Sequence, residues 1–409
     1  MARSLLLTLL FLTALLSLTA GAAQAAVVTF QGDSLERFTG LRTARLELAA
    51  YQNGELRSVR HQWLAWSQRG WPYFSEDDDS RRAGEPGRVG PRDRLLLESS
   101  DAGERLPAPS EEVVGELAIH KGDQRRYFYL LARPPFKGFP APVSLARDDD
   151  GDPLTLSTAA YRLDFLDGNL FQWGDFTYRG YRGPEGAQTT LLDSLKLRLS
   201  AGVFSADARL TLTNENLDPQ IRQVIEGPLA TLIYTTTRVR VAGLRVLTVH
   251  NHFVLMENRL AIHSRFALPG IAATVLRDPR ARVSVDGHQL QGARLRTSWT
   301  GEREAVVDGR LSDTEKAMLR RAVPAENWLR FDTGRGFALL ARLHFAEGFD
   351  TGARLIYQDD PALQETPERF PGQQPNVGFE LDQIPFGEKF YFVAELSFSE
   401  GDKSDAVSP

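Results

Sequence analysis

From Leu229 to Leu268 the chain passes through three apolar runs with almost nothing between them: Leu229 to Val241, Leu244 to Met256 and Arg259 to Leu268, parted by Gly243 and by Glu257-Asn258. Runs this close together can pair only as antiparallel neighbours, because parallel strands need a crossover of a dozen or more residues. Reading Glu257-Asn258 as a two-residue turn sets Met256 opposite Arg259, Phe253 opposite Ile262, His252 opposite His263 and His250 opposite Arg265. Strand side chains alternate with period two, so Val249, Phe253, Leu255, Leu260, Ile262 and Phe266 share one face with Asn251 and Ser264, and His250, His252, His263, Arg259 and Arg265 share the other. The first face packs; the second meets water or a ligand.

The same texture of short runs rich in Val, Leu, Thr, Phe and Tyr, cut by Gly, Asn, Asp and Pro, recurs at Leu46 to Tyr51, Tyr127 to Ala132, Leu195 to Leu199, Ala208 to Leu212, Phe337 to Phe345 and Phe390 to Phe398. The chain therefore reads as all-β. One short helix is expected, Glu315 to Ala322, opened by the capping box Ser312-x-x-Glu315 and closed before Pro324.

At the amino terminus Arg3 precedes an apolar stretch from Leu5 to Leu18, and Ala23-Gln24-Ala25 supplies the small-x-small pattern of a cleavage site. Residues 1–25 are expected to be a signal peptide, which makes the mature chain periplasmic or secreted and not membrane-spanning after cleavage. The apolar stretch is shorter than the roughly 20 residues that span a bilayer. There is no cysteine, so neither a disulfide nor a lipid at cysteine is available. Once Arg3 leaves with the signal, the net charge of −5 becomes −6, which argues against a nucleic-acid partner, usually met by a clustered basic excess.

The 384 residues left when 25 are removed from 409 exceed what a single core usually organises. A proline-rich stretch, Pro134 to Pro153, ending in Asp148-Asp149-Asp150-Gly151-Asp152, places the boundary: a β domain over 26–145, a second over 150–400, and a polar tail at 401–409. Ser75 to Asp93, which contains Glu76-Asp77-Asp78-Asp79, reads as an exposed excursion of the first domain. Both acidic runs lack the full pattern of a calcium loop, and solvated charge is the better reading.

Three of the seven histidines on one sheet face leave three readings open. A zinc site is one, although Arg265 would repel the cation. A polar pocket for a hydroxylated or anionic ligand is another, since imidazoles both donate and accept and a guanidinium offers a planar fork of donors. The third is a wetted or satisfied face without a ligand. No cofactor is implied, and the Gly-x-Ser-x-Gly elbow, the phosphate loop and the His-Glu-x-x-His pair are all missing. Glu226, Glu257 and Asp175 are the first carboxylates to test for glycoside cleavage, which needs only that two carboxyl groups meet in space.

Glu226-Gly227-Pro228, the strand after it, Gly243, the strand carrying His250 and His252 and the strand ending at Pro269 resemble the β-supersandwich domains of carbohydrate-active proteins, the galactose-mutarotase-like group and notably exo-rhamnogalacturonan-lyase-type proteins. The resemblance covers at most 155–400. It implies a large antiparallel supersandwich with a concave sheet often used to hold sugars, and it implies no reaction; ahead of it the expected fold is a small amino-terminal β-sandwich-like domain. Residues 46–62, 93–97 and 101–103 resemble amino-terminal modules of secreted bacterial proteins, and no activity comes with that likeness.

Aromatic residues add to the sugar reading. Trp63, Trp66, Trp71 and Tyr73 form one cluster; Phe171, Trp173, Phe176, Tyr178 and Tyr181 form another beside Gly183-Pro184. Flat rings stack on sugars and also fill cores. The second cluster is the more loop-like, so Trp173, Tyr178 and Tyr181 join His250, His252, His263 and Arg265 as candidate ligand contacts. The expected partner is a polysaccharide or oligosaccharide; the alternative is a non-catalytic envelope assembly or scaffold protein that binds other proteins.

Overall fold

The computed structural model describes residues 26–108, 110–241, 243–345, 352–372 and 375–401, so the expected signal segment 1–25 and residues 402–409 of the tail lie outside it. The chain is built from antiparallel sheets with one α-helix among the described residues. No helix among them is long and apolar enough to cross a membrane.

Two small sheets come first. Val27–Phe30, Arg94–Glu98 and His61–Leu64 form one, and Glu55–Ser58, Glu47–Gln52, Gln124–Leu131 and Val113–Lys121 form the other. Their inner faces close over Leu48, Ala50, Leu95, Leu97, Phe128 and Leu130. Alternate residues of the central strands face the other way and are buried as well, among them Ala49, Leu96, Tyr129 and Leu131.

The larger body is a sandwich. A nine-stranded sheet has the order Leu217–Ile225, Thr231–Val241, Leu244–Leu255, Arg259–Ala267, Lys389–Ser399, Ala338–Phe345, Leu329–Asp332, Arg294–Thr297, Ala305–Val306. Facing it is a five-stranded sheet: Arg209–Leu212, Leu192–Val203, Leu276–Gly287, Asn376–Leu381, Ala353–Gln358. A four-stranded sheet, Ser144–Arg147, Pro153–Ser157, Tyr161–Phe165 and Trp173–Tyr178, packs into the same core, so strand pairing in this body begins ahead of residue 150.

The central hairpin has the register its turn dictates. Phe253 pairs with Ile262, His252 with His263 and His250 with Arg265, and the amide of Met256 donates to the carbonyl of Arg259. The helix is Asp313–Leu319, which begins two residues before the expected Glu315 because Ser312 is itself the N-cap, and ends three before Ala322 because Arg320 already caps it; Ser312 Oγ accepts from the Glu315 amide and the Glu315 carboxylate accepts from the Ser312 amide. Glu315 also accepts from Val306 N, so the cap ties the helix to a strand.

A third core joins the two bodies. Leu64, Trp66, Phe74 and Leu96 of the amino-terminal part pack on Leu232, Tyr234, Val254, Ala261 and Val393 of the nine-stranded sheet. Gln62 crosses the same seam: its side-chain oxygen accepts from the amides of Leu229 and Ala230, and its amide donates to the carbonyl of Ala230. The Glu226-Gly227-Pro228 turn brings Gly227 against that side chain, where a Cβ would lie 2.3 Å from Gln62.

Candidate functional site

The second face of the hairpin is covered. Trp66, Trp71 and Phe74 lie over the histidines, and Asp77, near the start of the Ser75 to Asp93 excursion, is drawn down with them to 1% exposure, while Glu76, Asp78 and Asp79 around it stay exposed. The reason is the composition just ahead of the acidic run. Trp71 and Phe74 carry too much apolar area to remain in water and take the run down with them.

Asp77 is the hub. His252 Nε2 lies 3.0 Å from Oδ2, and the Arg265 guanidinium donates to Oδ1 and Oδ2 at 2.9 and 3.0 Å. Burial alone would raise the Asp77 pKa, but the bond from His252 and the Arg265 charge outweigh it and hold the carboxyl down at about 2. His252 is pulled below the ordinary imidazole value by burial, against the attraction of Asp77. Arg265 is therefore the cation that Asp77 neutralises, and a neutral His252 donates Nε2–H. His252 is also stacked on Phe74, with ring centres 5.3 Å apart, and Arg265 lies over Trp71 at 4.6 Å. His263 sits edge-on to Trp66 and 2.5 Å from the Tyr391 hydroxyl, and burial holds it neutral, well below the usual value.

The three imidazoles do not converge on a common point. His252 is committed to Asp77, His263 to Tyr391 and His250 to Tyr234, so the arrangement offers no three-nitrogen metal site. His250 is the half-buried member of the set. Its Nδ1 is 2.9 Å from the Tyr234 hydroxyl and its ring is parallel to that phenol. Beside it the acidic run emerges again: Asp79, with a side chain 47% exposed, pairs with Lys389 at 3.1 Å and lies 3.7 Å from Arg265.

Trp173, Tyr178 and Tyr181 belong elsewhere. All are buried in the sandwich core together with Phe253 and Leu260, on the opposite side of the sheet from the histidines. Trp173 Nε1 is satisfied by the carbonyl of Leu170, and Tyr178 packs edge-on to Phe337. The expected platform for a ligand at the histidine face is thus not assembled; the sheet stands between its parts. Asp175 pairs with Arg369 at 2.6 Å, Glu226 is exposed, and no contact joins either of them to Glu257.

No protein-family model matches this sequence, and no curated protein matches it. Among solved structures the chain is similar to an alpha-mannosidase from Enterococcus faecalis V583, with 10% identity, a TM-score of 0.46, and 93% of this chain covering 42% of that one. It is also similar to a GalM/aldose epimerase homologue from C. elegans (9% identity, TM-score 0.35, 64% of this chain and 100% of that one) and to the alpha-N-acetylgalactosaminidase NagBb from Bifidobacterium bifidum (12%, 0.33, 60% and 36%). The chain thus spans about two fifths of the length of the mannosidase, the 42% just given. Overlays at this level carry no residue-by-residue correspondence to a site.

A second buried polar cluster lies on the outer face of the five-stranded sheet, and no sequence pattern pointed to it. Lys196 Nζ is 2.5 Å from Asp286 and 2.6 Å from Glu368, with Lys196 only 2% exposed. Asp193 accepts the amides of Arg369 and Phe370, which pins the 365–370 segment over the sheet. Burial drives the Asp286 pKa up to about 7 in spite of Lys196. Asp193, Asp286 and Glu368 bring carboxylate oxygens within 4.8 Å of one another, and the Lys196 ammonium takes the place a cation would need. This cluster is a clamp between sheet and loop.

Proposed function

We propose that the mature chain is an exported carbohydrate-binding protein whose ligand lies at the seam between the two bodies, on the rim formed by His250, Asp79 and Lys389. One observation carries the reading: of the imidazoles on the hairpin face, His250 keeps contact with solvent while its ring is held in place by Tyr234, and a partly exposed Asp79–Lys389 pair stands beside it. Burial and the nearby Arg265 lower the His250 pKa, so at neutral pH the ring is uncharged and its Nε2 is left for a hydroxyl. A neutral imidazole, a carboxylate and an ammonium together supply acceptors and donors in the mixture a polyhydroxylated ligand needs. Export follows from the amino-terminal pattern, Arg3, Leu5 to Leu18 and Ala23-Gln24-Ala25.

A glycan array and a thermal-shift screen of chain 26–409, run beside His250→Ala and Asp79→Asn, test the proposal. Binding to a neutral or acidic glycan that weakens at least tenfold in both folded variants supports it. Binding that is indifferent to both, or no binding to any glycan, removes it. The scaffold alternative then gains from three bulky side chains held in water, Phe204, Leu244 and Ile271, at 74%, 73% and 81% exposure, and is pursued by cross-linking in the envelope.

A further inference from the structure

Between the nine-stranded and five-stranded sheets the core is not filled. A cavity of about 170 Å³ runs through the sandwich, lined by Ile262, Val283, Val285, Leu339, Ala394 and Leu396 among others. Side chains that point into the sandwich, Ile262, Val283, Val285, Ala394 and Leu396, retain accessible surface where a packed core would leave none. An apolar void of about this size stays dry and takes up apolar guests.

Its shape follows from the strand that floors it. Phe392, Ala394, Leu396 and Phe398 are successive inward residues of Lys389–Ser399, a span of about 20 Å at the rise of a β-strand. One end is closed by the mutually packed rings of Phe176, Phe337 and Phe398. The other end is polar. Ser264, opposite Phe392, lines the cavity there, donates to Asn251 Oδ1 at 3.0 Å, and Asn251 donates on to Thr237 at 3.1 Å. Thr235, next to Asn251 and fully buried, has a hydroxyl with no hydrogen-bond partner among the described residues. Every member of this ladder is uncharged. Arg342 borders the cavity through its backbone, because Ala341 and Leu343 on either side of it fill the core.

We infer that this cavity binds a single hydrocarbon chain bearing an uncharged polar end group, the chain lying along Phe392 to Phe398 and the end group meeting Ser264. A charged head is excluded by the same geometry, since no cation in the lining could neutralise a buried carboxylate. The site is separate from the seam occupied by His250, and the two stand or fall independently.

The experiment uses 1-dodecanol, n-dodecane and sodium dodecanoate as probes of chain 26–409, followed by thermal unfolding and by native mass spectrometry, with the protein also refolded in the presence of each probe so that slow entry is not mistaken for exclusion. Dodecanol and dodecane at a hundredfold excess over Kd are expected to raise the unfolding midpoint by roughly 4 °C. Dodecanoate is expected to do so only below the pH at which it protonates. Ser264→Ala should weaken dodecanol about tenfold and leave dodecane unchanged. Ala394→Leu, with Ala341→Val as a second filling variant, should abolish both. No shift and no bound mass after refolding, shifts that survive both filling variants, or equal response to the alcohol and the carboxylate at neutral pH would each overturn the inference.

Discussion

Replacing Asp77 by alanine tests the central interaction of the seam. The substitution leaves Arg265, 2% exposed, without its carboxylate and leaves His252 without an acceptor for Nε2–H. Breaking a buried pair by removing one partner costs about 3–5 kcal/mol, mostly the penalty of the orphaned charge. The titration of Asp77 points to the same order: a carboxyl held at about 2 rather than 3.8 contributes roughly 2–3 kcal/mol at neutral pH. Because the folded pKa is the lower one, this stability is complete above the unfolded value of 3.8 and disappears as pH falls through about 2. Urea unfolding at pH 7, followed by tryptophan emission because Trp66 and Trp71 border the cluster, should show the loss for Asp77→Ala, and the gap from the parent should narrow as pH falls from about 4 to about 2. Adding Arg265→Met to Asp77→Ala should restore at least half of the loss by removing the unpaired charge. A cost for Asp77→Ala under about 1 kcal/mol, or a double variant no more stable than the single one, would refute the claim that this ion pair joins the bodies.

Three further outcomes follow from the Gln62 seam and from the Lys196 cluster. Gly227→Ala should destabilise by about 1–3 kcal/mol, measured by the same urea titration, because a Cβ 2.3 Å from Gln62 dislodges the side chain that serves Leu229 and Ala230; Gln62→Ala in that background should then cost little more. Lys196→Met should lower stability by about 3–5 kcal/mol at pH 8, by leaving Asp286 and Glu368 facing each other without the ammonium. In the parent protein Asp286, whose folded pKa of about 7 lies above 3.8, contributes stability that is present at low pH and is lost as pH rises from about 4 to about 7, and Asp286→Asn should flatten that part of the profile.

What the sequence determined by itself was local. Alternation and the Glu257-Asn258 turn specified the hairpin register to the residue, because a slip of one position would have sent Phe253 and Ile262 outward and the histidines into the core. The capping box Ser312-x-x-Glu315 announced a helix here, since its two reciprocal bonds involve residues only three apart, although the span came out as Asp313–Leu319 and not Glu315 to Ala322. What covers a sheet face is not local. Nothing in Trp71 to Asp77 states that these residues, some 190 positions from Arg265, will seal it, and only the folded chain buried one carboxylate of the acidic run, Asp77, and left Glu76, Asp78 and Asp79 exposed. The same holds for Trp173, Tyr178 and Tyr181. A ring on a strand suits a ligand or a core equally, and the choice was made by which sheet came to lie against it. The pairing of Lys196 with Glu368 and the unfilled slot along Phe392 to Phe398 are likewise properties of how distant strands and loops meet, where volume and charge are matched between segments that share no pattern in the sequence.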